Sequence, residues 1–280
     1  SQYFSKTGEV KVGEKALWLQ PGSRFEKLDL GALKLPEDDF TIEAVTVLDG
    51  VYADASVNTL LSRWNGSQDD IGWSLGVTST KSRFDPQNFI LQIVGDDFQK
   101  NRIYEVVASG LRVPLGKPVY LAAAISARPS KEDLAKGSVT FYLKDLSDPN
   151  APLQTETVAH QVVGGLSVKE GVATLLGGRT QTGHHWDGQL ARLSVSEGAL
   201  KKEQLFVFPQ RAEAESLLPE ARRVFDWTFA GNDGETPVPG TAWVRNAKEA
   251  VPTGVSPKLL GAVTDFCHAM LNSNEFLYLH

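Results

Sequence analysis

The chain has one cysteine, Cys267, and one methionine, Met270, in 280 residues. A single thiol excludes an internal disulfide and a thiolate-rich zinc site. It also excludes the two-cysteine attachment of a c-type haem, although His268 follows Cys267. No run approaches the roughly 18 to 20 consecutive apolar residues that a membrane-crossing helix needs, so no membrane span is expected. The opening SQYFSKTGEVKV is polar and of mixed charge, without the pattern of a signal peptide. Basic residues are also short: 28 Lys and Arg against 34 Asp and Glu give a net charge of −6. With no basic face to neutralise a phosphate backbone, nucleic acid is excluded as a partner. Internal repeats and low-complexity tracts are missing too.

What is present is an ordinary globular composition, 41% hydrophobic and 22% charged, which argues against disorder. Short runs of β-branched and aromatic residues follow one another: ALWLQ from Ala16, FEKLDL from Phe25, FTIEAVTVL from Phe40, NTLLSR from Asn58 and IGWSLGV from Ile71. NFILQIV from Asn88, KPVYLAAAIS from Lys117, GSVTFYLKDL from Gly137, LQTETVA from Leu153, ATLLGG from Ala173 and GQLARLSV from Gly188 continue the series. Gly, Pro, Asn or Asp bounds most of them, and this pattern predicts an all-β, antiparallel sandwich. FTIEAV and GSVTFYLKD alternate cleanly, which predicts one face on the core and one toward solvent. After this series a helix is expected over 212–223, then a strand-like VFDWTFA and a connector, GNDGETPVPG. A second helix is expected from Pro257, with Ser256 as its N-cap; Leu259, Leu260, Val263, Phe266, Met270 and Leu271 share one face. The expected organisation is a sandwich over 1–208, a helix, returning strand and Gly/Pro-rich connector packed on the sandwich over 209–256, and an amphipathic helix and tail over 257–280.

The order ALWLQPGSRFEKLDLG, LPEDDFTIEAVTVLDG, LLSRWN, GWSLGV, VTFYLKDL, LLGGR and WDGQLARLSVSEGALKKEQL resembles the laminin-G-like domains of the concanavalin A-like superfamily. That resemblance covers roughly residues 10 to 208 and implies a jelly-roll sandwich with short helices at its C-terminal end. It also implies that Asp187-Gly188 is a structural turn into a central strand. The tail, DFCHAMLNSNEFLY, resembles the C-terminus of planctomycete and verrucomicrobial envelope proteins that join a cytochrome c-like domain to domains of unknown function. By that resemblance the chain is the C-terminal part of a larger periplasmic or extracellular protein, and the helix from Pro257 docks on the sandwich or on other domains of the parent.

For function, three classes are compared. Concanavalin A-like glycosidases need two carboxylates in register on one strand face, about 5 Å apart. FTIEAVTV offers Glu43 alone and LQTETVA offers Glu156 alone. The expectation is therefore that this chain is not an enzyme. Glycan recognition needs aromatic rings with polar groups around them, because a sugar has an apolar face and a hydroxyl rim. Arg63, Trp64 and Asn65, with His184, His185 and Trp186, form such a candidate set; core packing is the alternative for each tryptophan. The acidic turns at Asp69, Asp70, Asp96 and Asp97 supply candidate calcium ligands, with solvated hairpin turns as the alternative. The lead expectation is a noncatalytic module that binds a polysaccharide or other glycan. Its rival is an interaction or scaffolding domain that positions the redox part of the parent and binds no sugar.

Overall fold

The computed structural model describes residues 17–19, 25–30, 34–53, 55–181, 183–207, 223–228 and 242–245. The chain divides into a unit Ser1–Arg245 and a second unit Asn246–His280. The helix expected from Pro257 and the tail motif belong to the second unit and lie outside the described residues, as does the expected helix over 212–223 up to Arg223.

Fourteen strands run through the first unit: β1 Leu17–Leu19, β2 Phe25–Asp29, β3 Asp39–Gly50, β4 Val57–Arg63, β5 Gly72–Thr78, β6 Asn88–Asp96 and β7 Arg102–Arg112. They continue as β8 Pro118–Ser126, β9 Gly137–Asp145, β10 Gln154–His160, β11 Thr174–Leu176, β12 Asp187–Glu197, β13 Arg223–Thr228 and β14 Ala242–Arg245. All pair antiparallel. The first sheet has the order β1-β12-β3-β8-β9-β10, with β13 also on β12; the second has the order β14-β2-β11-β4-β5-β6-β7. A single 3-10 turn, Lys202–Gln204, is the one helical element among the described residues. The expected strands are therefore present, and two more join them. β7 is an edge strand whose residues are mostly half-exposed, so its sequence lacks the strong alternation of an interior strand. β14 lies beyond the connector, on the outer edge of β2.

The sheets stack through residues at alternate positions of each strand. Phe40 and Ile42 of β3, Leu121 and Ile125 of β8 and Phe141 of β9 meet Trp73 and Leu75 of β5 and Phe89 and Leu91 of β6. Phe40 lies 5.4 Å from Trp73 and Phe89 lies 5.2 Å edge-on to Phe141, which joins the two layers by aromatic contacts. Each such side chain, fully buried, contributes roughly 1.5 to 3 kcal/mol.

The expectation that β3 would present one face to solvent is corrected. Every residue from Phe40 to Leu48 is buried, because the segment 198–207 lies across the outer face of the first sheet. Val45, Tyr120, Ala122, Tyr142 and Ala191 form a second apolar cluster with Leu200, Leu205 and Phe206. Thr41 pins the segment twice: its hydroxyl donates to the Gly198 carbonyl at 2.8 Å and accepts the Leu200 N–H at 2.8 Å. From the segment 209–256, β13 pairs with β12 in one sheet and β14 with β2 in the other.

Candidate binding groove on the second sheet

Alternation in β5, β6 and β7 sends Trp73, Leu75, Phe89, Leu91, Ile93 and Val107 inward. Positions between them therefore face out. Register places Gln92 between Ser74 and Val106, and Tyr104 beside Val94, on this outer face. The segment 79–86 rises next to them and is held by local bonds. Ser79 Oγ donates to the Ala55 carbonyl at 2.6 Å and accepts the Lys81 N–H at 3.1 Å, while Thr78 Oγ1 donates to the Asp85 carbonyl at 2.5 Å. Between this segment and the sheet lies a groove of about 550 Å³. Ser56, Val57, Lys81, Ser82, Arg83 and Phe84 line one side of it, and Ile90, Gln92, Tyr104, Glu105 and Val106 line the other. Its volume falls within the range of about 300 to 1,000 Å³ usual for small-ligand sites.

Behind Gln92 and Tyr104 is a layered polar cluster. Gln92 Nε2 donates to the Tyr104 hydroxyl oxygen at 2.6 Å, and Gln92 Oε1 accepts from Arg179 Nη1 at 3.0 Å. The Arg179 guanidinium lies 5.1 Å over the Trp64 ring, which stacks on Tyr104 at 5.9 Å. His184 has φ of +63°, and its Nδ1–H donates to the Val57 carbonyl at 2.9 Å. That tautomer leaves Nε2 to accept from the Arg179 guanidinium. Burial first, and then the Arg179 charge, hold His184 down to about 4, so the ring is neutral at physiological pH. Arg179 is itself 5% exposed and is drawn down to about 10 by burial, which leaves it charged at neutral pH. Its Nε–H has no partner among the described residues, and no carboxylate there pairs with it.

The residues expected to bind a glycan take different places. Trp186 is fully buried and belongs to the sandwich core, so the expectation of an aromatic platform there is corrected. Its backbone N–H donates to the Gly177 carbonyl at 3.1 Å, which fixes the turn into β12 and directs the ring inward. Trp64 is 4% exposed, its indole N–H donating to the Ser67 carbonyl at 2.7 Å, and it too presents no open ring face. Arg63 lies opposite Trp73 in the ladder, on the core side of the sheet. Asn65 closes its own turn, accepting the Ser67 N–H at 2.9 Å and donating to Asp70 at 2.7 Å. His184 and His185 lie in the polar layer behind the groove, with His185 buried against Gly178. The aromatic rings that line the groove are Tyr104 and Phe84. Sequence reasoning missed Tyr104 because it missed β7; Gln92 was legible, since a polar residue between Leu91 and Ile93 of a core strand must face outward.

The loops holding the candidate calcium ligands do meet, through an arginine. Arg102 Nε donates to Asp96 at 2.7 Å and its Nη1 to the Asp69 carbonyl at 2.6 Å. Asp70 accepts from Lys169 and Asn65, which hold its carboxyl below the usual range. Asp97 accepts the Asn101 and Gln99 N–H groups, each at 2.8 Å. Asp70, Asp96 and Asp97 each accept from a donor already, and no three acidic, histidine or cysteine side chains gather among the described residues.

No family model matches the chain, and no curated protein matches it. Solved structures similar to it include the enzymatically active domain of tailspike protein 2 of bacteriophage CBA120, at 12% identity and TM-score 0.47, covering 81% of this chain and 35% of that one. The CBM40 domain of the Ruminococcus gnavus IT-sialidase is similar at 15% identity and TM-score 0.43, covering 69% of this chain and 96% of that one. The heptameric SAP-like pentraxin of Limulus polyphemus is similar at 14% identity and TM-score 0.40, covering 68% and 78%.

Proposed function

We propose that this chain is a noncatalytic recognition module that binds a saccharide in the groove on the outer face of its second sheet. The observation that carries the reading is the groove itself. It joins two aromatic side chains, Tyr104 and Phe84, to a polar set of Gln92, Ser56, Ser82 and Arg83, the combination that a sugar's apolar face and hydroxyl rim require. Its walls are fixed by hydrogen bonds before any ligand arrives, which lowers the entropy lost on binding. Two carboxylates considered for catalysis support the noncatalytic reading by their places. Glu43 is buried under the segment 198–207 on the other sheet, and Glu156 accepts the Gly110 N–H at 2.6 Å between two edge strands. In this reading the module works outside the cytoplasm as part of a larger envelope protein, as the resemblance of its tail implies, and needs no metal.

A scaffolding role is the second reading, and the burial of Trp64 and Trp186 favours it. Affinity electrophoresis through a panel of neutral and acidic polysaccharides separates the two. We expect retardation by at least one polysaccharide, weakened in Tyr104→Ala and Phe84→Ala proteins that keep the wild-type unfolding temperature. No retardation across the panel would leave the scaffold.

A further inference from the structure

Resting on the saccharide reading above, we infer that the groove selects an acidic saccharide, whose carboxylate is held by the Tyr104 hydroxyl and the Arg83 guanidinium. The reason lies in what stands behind the groove wall. Arg179 is a 95% buried cation with no carboxylate partner among the described residues, and its neighbour His184 is neutral. A buried charge of this kind is costly unless something offsets it. The described contacts on its guanidinium are Gln92, His184 and the Trp64 ring, all uncharged.

Its charge is passed forward by a chain of hydrogen bonds. Arg179 donates to Gln92 Oε1, and Gln92 Nε2 donates to the Tyr104 oxygen. With its oxygen occupied as an acceptor, the Tyr104 hydroxyl has its proton left to give, and Tyr104 is a residue of the groove's lining. Each link polarises the next, so the hydroxyl becomes a stronger donor than an isolated phenol, and its best acceptor is an anion. At the groove's other side stands Arg83, exposed, over the Phe84 ring at 4.9 Å and without an ion pair among the described residues. Glu105, the one acidic lining residue, accepts the Gln161 N–H at 2.6 Å and so is engaged away from this donor. The chain is acidic overall, with net charge −6, so general surface charge does not attract an anion; a local arrangement has to.

Calorimetry on the full chain would compare polygalacturonate, dextran sulfate and uncharged dextran at low and high salt, using wild type, Tyr104→Phe, Gln92→Glu and Arg83→Gln. The expected result is polygalacturonate binding at least about ten-fold tighter than dextran at low salt, weakening as salt rises. Tyr104→Phe, which removes one hydroxyl and keeps the ring, should weaken polygalacturonate about ten-fold, the order expected for a hydrogen bond to a charged group. Gln92→Glu, which sets a carboxylate against Arg179, should do the same, and Arg83→Gln tests the exposed side in a loop where folding is not at stake. Dextran at equal affinity would overturn the inference and leave the saccharide reading standing. So would polygalacturonate and dextran sulfate binding alike in all four proteins, since that marks diffuse charge. Failure of every polysaccharide would remove both.

Discussion

Glu43 accepts two hydrogen bonds on one carboxylate oxygen, from the Tyr120 hydroxyl and the Phe206 N–H, each at 2.7 Å. Its other oxygen is buried without a partner among the described residues. Loss of water pushes its pKa from 4.5 up to about 7, against the lowering effect of those two bonds and of Arg192. A carboxyl group with a raised folded-state pKa is held protonated by folding. Its contribution is complete below about pH 4.5 and is lost as pH rises to about 7, some 3 kcal/mol in all. His160 and His184, both held near 4 mainly by burial, act in the opposite sense, losing stability as pH falls from 6.5 toward 4. The Glu43 effect therefore shows best as a difference. In urea titrations from pH 4.5 to 8, Glu43→Gln should gain on the wild type as pH rises, and a constant difference would refute the assignment. Gly188 offers a second test at this scale. Its φ is +156°, and a Cβ there would lie 1.9 Å from the Val47 carbonyl oxygen, which belongs to a paired strand. Gly188→Ala should cost more than about 2 kcal/mol in chemical denaturation.

Among the elements, the segment 198–207 does the work that a third layer does in larger folds. Phe206 meets Tyr120 edge-on at 5.1 Å and lies under Arg192 at 4.1 Å, while Arg192 forms a two-bond pair with Asp226 of β13. Phe206→Ala should cost about 3 kcal/mol, with faster amide exchange in β3 and β8 than in β5 and β6. Unchanged exchange in β3 would show that the segment does not protect it. The alternation in FTIEAV made a strand legible here, but not the cover over its second face. GALKKEQLF is short and mixed in charge, and nothing local tells it to lie on a sheet. β7 was hidden for a related reason, since an edge strand makes half the contacts of an interior one and its residues are chosen less strictly. With β7 went Tyr104, and with Tyr104 the groove.

For the whole molecule, the expected two-layer sandwich followed from composition and strand spacing, and the strands themselves were placed within a few residues. Which strands β13 and β14 join was not legible, because both are short and each pairs with a partner far back in the chain. The part these two strands play is testable by truncation. A 1–208 fragment leaves the β12 and β2 edges bare and should melt earlier and aggregate, while a 1–245 fragment should unfold as one cooperative unit. Equal melting of the two would show that β13 and β14 add nothing to the stability of the sandwich.

β12 pairs along one edge with both β1, at residues 188–190, and β13, at residues 192–196. Two segments from opposite ends of the first unit thus lie end to end on the same strand. A chain made from its N-terminus cannot finish that edge until residue 228 has left the ribosome, nor the other sheet's edge until residue 245. Through most of its synthesis the nascent module would carry two unfinished sheet margins, and a holdase that covers exposed strands during that interval should raise its yield more than one acting on the completed chain.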